Sequence, residues 1–480
     1  MDLQTLKNEV YNFALECGMK PRNPRKEDTS NRICTSTFDD PRGYNSVTRD
    51  NTEGEGALYF GFIRPEESAN GSYRDFSLVF LPQTDGKVCV VSLGIGSDGL
   101  DNDMRIATLP GTRRLFMRLR DSSRRTFFKN DFSDTNNPSD DLFKELNNTT
   151  LSIDRYKNFL PASEIVYFED ENDEDGLNRL KSWIATYAVF RNWPTKTQRN
   201  FLKKYLPKYK SEVLSSSDIY NLLKNDNHRF VVLEGAPGTG KTYNALQVAT
   251  RFDKVVFEQF HAETTYSDFV WGIRPKLDGT SVGYEPKKGI LMKAIETAEE
   301  TSGDVLLIID EINRANLSNV LGPVFYLFEK NTENRIFEIT IGDRTLKSLP
   351  NNLYVIATMN TADRSLAVVD FALRRRFTWL TLKPHKVEFD ENSGKTFHED
   401  DFNQISAIFE KYANDNELNL QPGHSYFITN KDSADKLMKD RLQYELMPLI
   451  KEYLNEGYLS DARDEFSNYF YHRIGVSMYE

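Results

Sequence analysis

The sequence predicts an α/β domain built on a buried parallel sheet, closed by a helical C-terminal lid and preceded by an α+β domain. Three observations predict it. From about residue 215, short apolar runs alternate with helical stretches: Phe230–Leu233, Val255–Phe257, Val305–Ile309, Leu353–Ala357 and Phe377–Leu380. Continuous apolar strands separated by helices belong to a parallel sheet covered on both faces. A glycine-rich turn separates the first of these strands from a helix, and residues 390–480 read as mostly helical.

Composition bounds the rest. A chain of 480 residues holds two to four domains at about 100–200 residues each. Lys and Arg number 61 against 72 Asp and Glu, a formal net charge of −11. That balance argues against a protein coating nucleic acid by bulk charge and leaves room for a local basic surface. The 32 Phe, 23 Tyr and 4 Trp supply packed cores despite a mean hydropathy of −0.58. No apolar run reaches the roughly 18 residues of a membrane span, and the N-terminus lacks the pattern of a signal peptide. Cys17, Cys34 and Cys89 form no CxxC pair. They read as reduced thiols of a cytoplasmic protein. The six histidines are scattered without HExxH, which argues against a structural zinc site.

The first half, residues 1–190, opens on an amphipathic helix with Leu3, Leu6, Val10, Phe13 and Ala14 at helical spacing. Residues 22–56 are polar and read as loop. Strand-like runs follow at 57–63, 76–81 and 88–93, the last two flanking Thr84-Asp85-Gly86, a hairpin signal. Residues 112–129 read as a basic helix. The acidic run 169–175 reads as a solvated linker or helix entry, with a helix after it from 177 to 191. Segment 191–210 carries seven Lys/Arg and no acid, and 191–214 is expected to link the two halves. The motor domain is then expected over 215–389 and the lid over 390–480.

Gly235-Ala-Pro-Gly-Thr-Gly-Lys-Thr242 matches GxxxxGK[ST] between a strand and a helix, the context a phosphate-binding loop requires. Gly235, Ala236, Pro237, Gly238, Thr239 and Gly240 fold the backbone so that N–H groups converge on one anion, and the helix presents its positive end. Lys241 reaches the β/γ-phosphates; Thr242 ligates Mg²⁺. Five apolar residues then lead to Asp310 and Glu311 at a strand's C-terminal end, where ligands bind in open α/β sheets. Asp310 is the expected Mg²⁺ partner and Glu311 the residue that polarises attacking water. Asn360, ending the next strand, is a candidate for orienting that water; alone, an Asn there is more often a turn residue.

Met359-Asn-Thr-Ala-Asp-Arg-Ser-Leu-Ala-Val-Val-Asp-Phe-Ala-Leu-Arg-Arg-Arg-Phe377 and Asp310-Glu-Ile-Asn-Arg-Ala-Asn316 carry a family resemblance. So do Phe260–Pro275 and Gly423-His-Ser-Tyr-Phe427. Over roughly 215–470 the chain resembles the AAA+ motors of the McrB family, the GTP-hydrolysing subunits of modification-dependent restriction systems. The resemblance implies an α/β AAA+ P-loop NTPase domain with a helical lid, a ring that is usually hexameric, GTP rather than ATP with Mg²⁺, and an McrC-like nuclease partner. It implies roles for Asn360 and Asp363 of the signature motif, and for Arg364 and Arg314 at a subunit interface. Asp370 is implied as a relay acid, and Arg375 and Arg376 as arginine-finger candidates. Asn313 helps to build the same interface. No NKxD-type base-reading motif is present, so the preference for GTP over ATP rests on the resemblance.

In McrB-like proteins the N-terminal half supplies target recognition, often of modified cytosine in DNA. Here Tyr59, Phe60, Phe62 and Tyr73 either line a pocket for a flipped base or form an ordinary β core. Two basic windows, 113–129 and 191–210, the second interleaved with aromatics, read either as DNA contacts or as solvated amphipathic faces. No D…ExK nuclease cluster is found in the first half; Glu285-Pro-Lys287 has the tripeptide form but falls inside the motor, in an expected hairpin insertion. The leading reading is therefore a GTP-driven subunit of a DNA restriction or defence complex that recognises DNA through residues 1–190. A MoxR-like ATPase that remodels protein complexes is the alternative, and a slowly hydrolysing, nucleotide-gated binding module a third.

Overall fold

The computed structural model describes residues 2–19, 45–49, 59–63, 76–83, 86–95, 107–120, 125–132, 157–169, 173–191, 193–207, 213–225, 228–278, 281–329, 337–362 and 371–479. The chain divides into two compact units, Met1–Lys210 and Ser211–Glu480.

The first unit is α+β. Its opening helix, Leu3–Glu16, is capped by the Asp2 carboxylate, which accepts from the Thr5 N–H, and it buries Leu6, Val10, Phe13 and Ala14. The sheet is antiparallel in the order β1-β2-β3-β4-β6-β5. Its strands are β1 (Asn45–Arg49), β2 (Tyr59–Ile63), β3 (Ser77–Pro82), β4 (Val88–Gly94), β5 (Thr126–Phe128) and β6 (Ala162–Tyr167). The β3–β4 turn closes with Gln83 N–H donating to Val88 O at 2.8 Å and Gly86 in the left-handed region at φ 68°. Helix Glu174–Phe190 packs Trp183 and Tyr187 into the core. Asp173 of the acidic run is its N-cap, accepting from Gly176 N–H at 2.9 Å, so part of that run serves as the helix entry.

Three expectations for this unit change. The helix read over 112–129 is only Pro110–Met117; Thr126–Phe128 instead pairs with β6, and Phe128 stacks on Trp183 with centroids 6.2 Å apart. Packing of the half-buried Phe128 against the core outweighs local helix propensity there. Phe60 and Phe62 are fully buried and pack on Phe80, so they are core and line no open pocket; Tyr73 lies outside the described residues. The basic segment after 190, expected to link the two halves, packs into the core of the first unit as far as Leu206. Helix Lys196–Leu202, capped by Thr195 with Gln198, buries Leu202, and Trp193 meets Phe62 edge-on. Several cations of the basic windows serve the fold itself. Arg191 donates to Phe76 O and lies over the Phe190 ring, and the buried Lys129 donates to Asn158 O at 2.7 Å.

The second unit holds a parallel sheet in the order β15-β7-β14-β11-β8. The strands are β7 (Phe230–Gly235), β8 (Lys254–Gln259), β11 (Val305–Asp310), β14 (Leu353–Asn360) and β15 (Thr378–Thr381). Every residue of β11 is buried, with Leu307 in the apolar cluster on one face and Ile308 in that on the other. A sheet covered on both faces requires this continuous apolar run. An antiparallel ribbon, β9 (Trp271–Asp278) with β10 (Ser281–Lys288), is inserted after β8, and a short one, β12 (Ile339–Ile341) with β13 (Arg344–Leu346), precedes β14. Glu285 of the nuclease-like tripeptide is ion-paired within the ribbon to Arg274 and Lys276. The lid gathers helices Glu399–Tyr412, Ala434–Arg441, Met447–Asn455 and Arg463–Ile474 around Phe409, Leu442, Leu446, Ile450 and Phe466. Among the described residues no helix is long and apolar enough to cross a membrane.

Candidate nucleotide site

The C-terminal ends of β7, β11 and β14 converge at the glycine-rich loop. Strand β7 ends at Gly235, and the helix Lys241–Ala249 starts at once after Gly240, whose φ of 81° only glycine adopts without strain. Thr239 Oγ1 ties the loop together by donating to Ala236 O at 2.9 Å. The Lys241 side chain is buried and folds back along the loop, donating from Nζ to Gly235 O and Ala236 O, each at 2.9 Å. An ammonium and a helix N-terminus on one backbone turn make an anion site.

Asp310 faces this loop from β11. Its Oδ1 accepts from Thr242 Oγ1 at 2.8 Å and from Thr358 Oγ1, on β14, at 2.6 Å. Thr242 and Asp310 are hard oxygen donors side by side at the phosphate loop, which suits Mg²⁺, an ion held by one or two protein oxygens plus phosphates and water. The next residue, Glu311, stands in the left-handed region at φ 56°, and its N–H donates to Thr358 Oγ1 at 3.0 Å. A non-glycine residue held there stores strain, and such strain clusters at working sites. Arg314 Nε lies 3.3 Å from Glu311 Oε2.

The end of β14 is pinned from two sides. Thr361 N–H donates to Gly235 O at 3.1 Å, and Asn313 Nδ2 donates to Asn360 O at 3.1 Å. Asn360 Oδ1 accepts from Ala362 N–H at 3.2 Å. Asp363, Arg364 and Asp370 lie outside the described residues. The two finger candidates differ sharply. Arg376 is 7% exposed, ion-paired to Glu329 at 2.5 Å and laid over the Phe325 ring at 4.2 Å. Arg375 reaches the same carboxylate at 2.5 Å with its side chain 64% exposed.

Sequence reasoning passed over three parts of the site. Thr358 looks like any strand residue in TMN, and only the register of β14 beside β11 brings its hydroxyl to Asp310. Glu329 has no motif around it. The lid strap at 423–426 had a signal, the matching Gly-His-Ser-Tyr-Phe, but no role. In the fold it lies on the phosphate loop: Gly423 N–H donates to Pro237 O at 2.8 Å and Ser425 N–H to Gly238 O at 3.1 Å. A β-carbon on Gly423 would fall 2.0 Å from the Gly238 carbonyl carbon, so only glycine fits.

Comparison with known proteins agrees with this geometry. Residues 230–377 match the family AAA domain (dynein-related subfamily). The chain is 35% identical over 251 residues to the type IV methyl-directed restriction enzyme EcoKMcrB subunit of Escherichia coli (strain K12), covering 46% of this chain and 53% of that protein. It is 29% identical over 206 residues to the type II restriction enzyme BsuMI component YdiS of Bacillus subtilis (strain 168), covering 33% of this chain and 59% of that one. The chain thus spans between half and two thirds of the length of these two relatives.

Proposed function

We propose, from the premise that this chain is an McrB-like AAA+ protein, that it is the nucleotide-hydrolysing motor subunit of a DNA restriction or defence complex, fuelled by GTP in preference to ATP. The observation that carries the reading is the Asp310 hub, which holds Thr242 and Thr358 on one carboxylate oxygen and sets Glu311 beside the phosphate loop. Lys241 and the loop N–H groups bind the β/γ-phosphates. Thr242 and Asp310 would hold Mg²⁺, which would supply neutralisation of charge on the phosphate oxygens. Glu311 orients and polarises the attacking water, Asn360 bounds it on the other side, and charge in the transition state is met by positioned cations.

The exposed Arg375 is the arginine offered to a neighbouring copy; the buried Arg376 braces the end of its own helix through Glu329 and Phe325. The assembled form is a ring, usually six copies in the family the chain resembles, working in the cytoplasm with an McrC-like nuclease. The first unit supplies DNA recognition. Its outward cations around Phe201, including Lys203 and Lys204, are the surface to examine first.

Hydrolysis of GTP and ATP, measured with and without DNA, tests the reading. GTP turnover lost in Glu311→Gln and Lys241→Ala supports it, whereas hydrolysis of ATP alone refutes the GTP assignment. Separately, removing residues 1–210 is expected to spare hydrolysis and abolish DNA binding. DNA binding undiminished in the truncated motor overturns the role given to the first unit.

A further inference from the structure

Two groups of large apolar side chains in the second unit stand exposed, and the first is on the inserted ribbon. Residues directly opposite in an antiparallel pair share a face, so the register sets Ile273, Pro275 and Leu277 beside Pro286, Tyr284 and Val282. On that face Val282 is 59% and Leu277 80% exposed, with Ile273 and Tyr284 between them. The other face carries Arg274 and Lys276, both ion-paired to Glu285, and Lys287, paired to Asp268. The root is fixed. Trp271 packs on the core, and a β-carbon on Gly342 would fall 2.3 Å from its ring. Beyond the root, residues 273–277 form an arm of about 17 Å. A contiguous bare apolar face on such an element marks an interaction site.

The second group lies on edge strand β8. Val255 and Phe257 are in register with the fully buried Leu306 and Ile308 of β11, yet are themselves 44% and 46% exposed. Helix Lys241–Ala249 packs on this face through Ala245 and Val248. Its Thr242 reaches Asp310 of β11, and the exposed Leu246, four residues on, lies on the same flank. Leu246, Val255 and Phe257 thus make an apolar strip beside the helix that opens at Lys241.

Ribbon and strip belong to opposite faces of the parallel sheet. Leu306 and Ile308 sit in the cluster on one face, whereas Val270 and Trp271 at the ribbon's root pack in that on the other. One copy turns the two surfaces in different directions; a second copy set head to tail brings them together, the kind of contact that closes rings. Phe325 and Phe328, next to the carboxylate that holds Arg375, pack on the ribbon's side of the sheet, so arginine and ribbon are offered from the same side. Nucleic acid fits the ribbon poorly, because each of its four cations already holds a carboxylate.

We infer that the apolar face of the β9–β10 ribbon docks on a second copy of this chain, against the strip of Leu246, Val255 and Phe257, as a clasp between neighbouring motors. This rests on the proposed ring and names the surfaces that hold it. Because Leu246 rides on the helix behind the phosphate loop, the clasp grips the element that carries the nucleotide.

The test is assembly of the full-length chain with GTP, followed by sedimentation velocity, in Leu277→Asp, Tyr284→Asp and Phe257→Asp. Each is expected to raise the concentration at half assembly about tenfold or more, the scale of a lost central interface side chain. GTP binding by the single copy is expected to stay unchanged. Leu277→Asp combined with Phe257→Asp is expected to weaken assembly little further than either alone, since both remove one contact. Tyr284→Cys chains mixed with Phe257→Cys chains and oxidised in the presence of GTP are expected to cross-link in the mixture and in neither chain alone. Half assembly unchanged in Leu277→Asp and Tyr284→Asp overturns the inference; the high exposure of both positions keeps that outcome readable should Phe257→Asp fail to fold. Intact assembly with a DNA duplex no longer bound would also overturn it, giving the face to another occupant. Failure of the underlying reading looks different: the unsubstituted chain would remain a single copy with GTP, and ring and clasp would fall together.

Discussion

Asp310 carries two hydroxyl donors on one oxygen, and one of them, Thr358, also accepts from the backbone of the strained Glu311. Thr358 is therefore a positioning residue. Its replacement by valine keeps the shape and removes both bonds. The expected result is little change in nucleotide affinity and a fall in kcat of about 10- to 100-fold, from bonds worth about 1–3 kcal/mol to a charged group. Loss of affinity with kcat intact, in steady-state kinetics, would show that the threonine serves binding instead. His424 makes a second prediction. Its folded pKa of about 4 lies below the ordinary 6.5, so between those values the unfolded chain takes up a proton that the folded chain refuses. The contribution is full above pH 6.5 and lost as pH falls towards 4. The thermal midpoint of the motor is expected to drop between pH 7 and pH 5, and His424→Gln to flatten that drop. At this scale the sequence is legible where a residue type and its spacing already state the chemistry, as for Lys241, Thr242, Asp310 and Glu311. Thr358 and Glu329 act through contacts between distant segments, and no local pattern marks them; the strap around His424 carries a matching stretch, but its place on the phosphate loop shows only in the fold.

The elements were more legible than the contacts between them. The three inner strands β7, β14 and β11 stand where unbroken apolar runs placed them, because a strand buried on both faces leaves no other pattern, whereas the edge strands β8 and β15 are at the expected places but partly exposed, Val255 and Phe257 included. The inserted ribbon falls around Glu285 as expected. The three-residue β5 was hidden because so short a strand has no periodicity, and its partner β6 lies more than thirty residues away. The segment after 190 has the solvated amphipathic face that is one of its two readings: Arg199, Lys203 and Lys204 are exposed while Leu202 is buried. One element joins lid to loop, the strap around Gly423. Gly423→Ala places a methyl group 2.0 Å from the Gly238 carbonyl carbon, both sides being backbone, so the strap must lift. The expected outcome is nucleotide affinity at least tenfold weaker and faster amide exchange at 236–242, since the two strap bonds are worth about 1 kcal/mol each before any strain. Exchange unchanged across the loop would show that lid and loop are not coupled there.

At the scale of the whole molecule, a chain of net charge −11 confines its useful cations to a few places, and one of them is the end of the 371–376 helix. There the two arginines share Glu329, one buried and one exposed. A carboxylate that holds an exposed guanidinium in place adds little stability, because solvent screens the pair. It does hold the side chain in one place on the surface, where the proposed neighbouring copy would meet it. If Arg375 acts in that way, Arg375→Ala and Glu311→Gln subunits are each inactive alone for opposite reasons. The first keeps its own water-polarising carboxylate and denies its neighbour a cation; the second supplies the cation and lacks the carboxylate. Mixed one to one before GTP is added, they form interfaces that join an intact Glu311 to an intact Arg375, roughly a quarter of all interfaces in a randomly mixed head-to-tail ring. Hydrolysis is expected to return to that order of the unsubstituted rate, with Arg376→Ala, expected to destabilise its own helix end, giving no such rescue. Mixtures as inactive as their components would place Arg375 outside the neighbour's site.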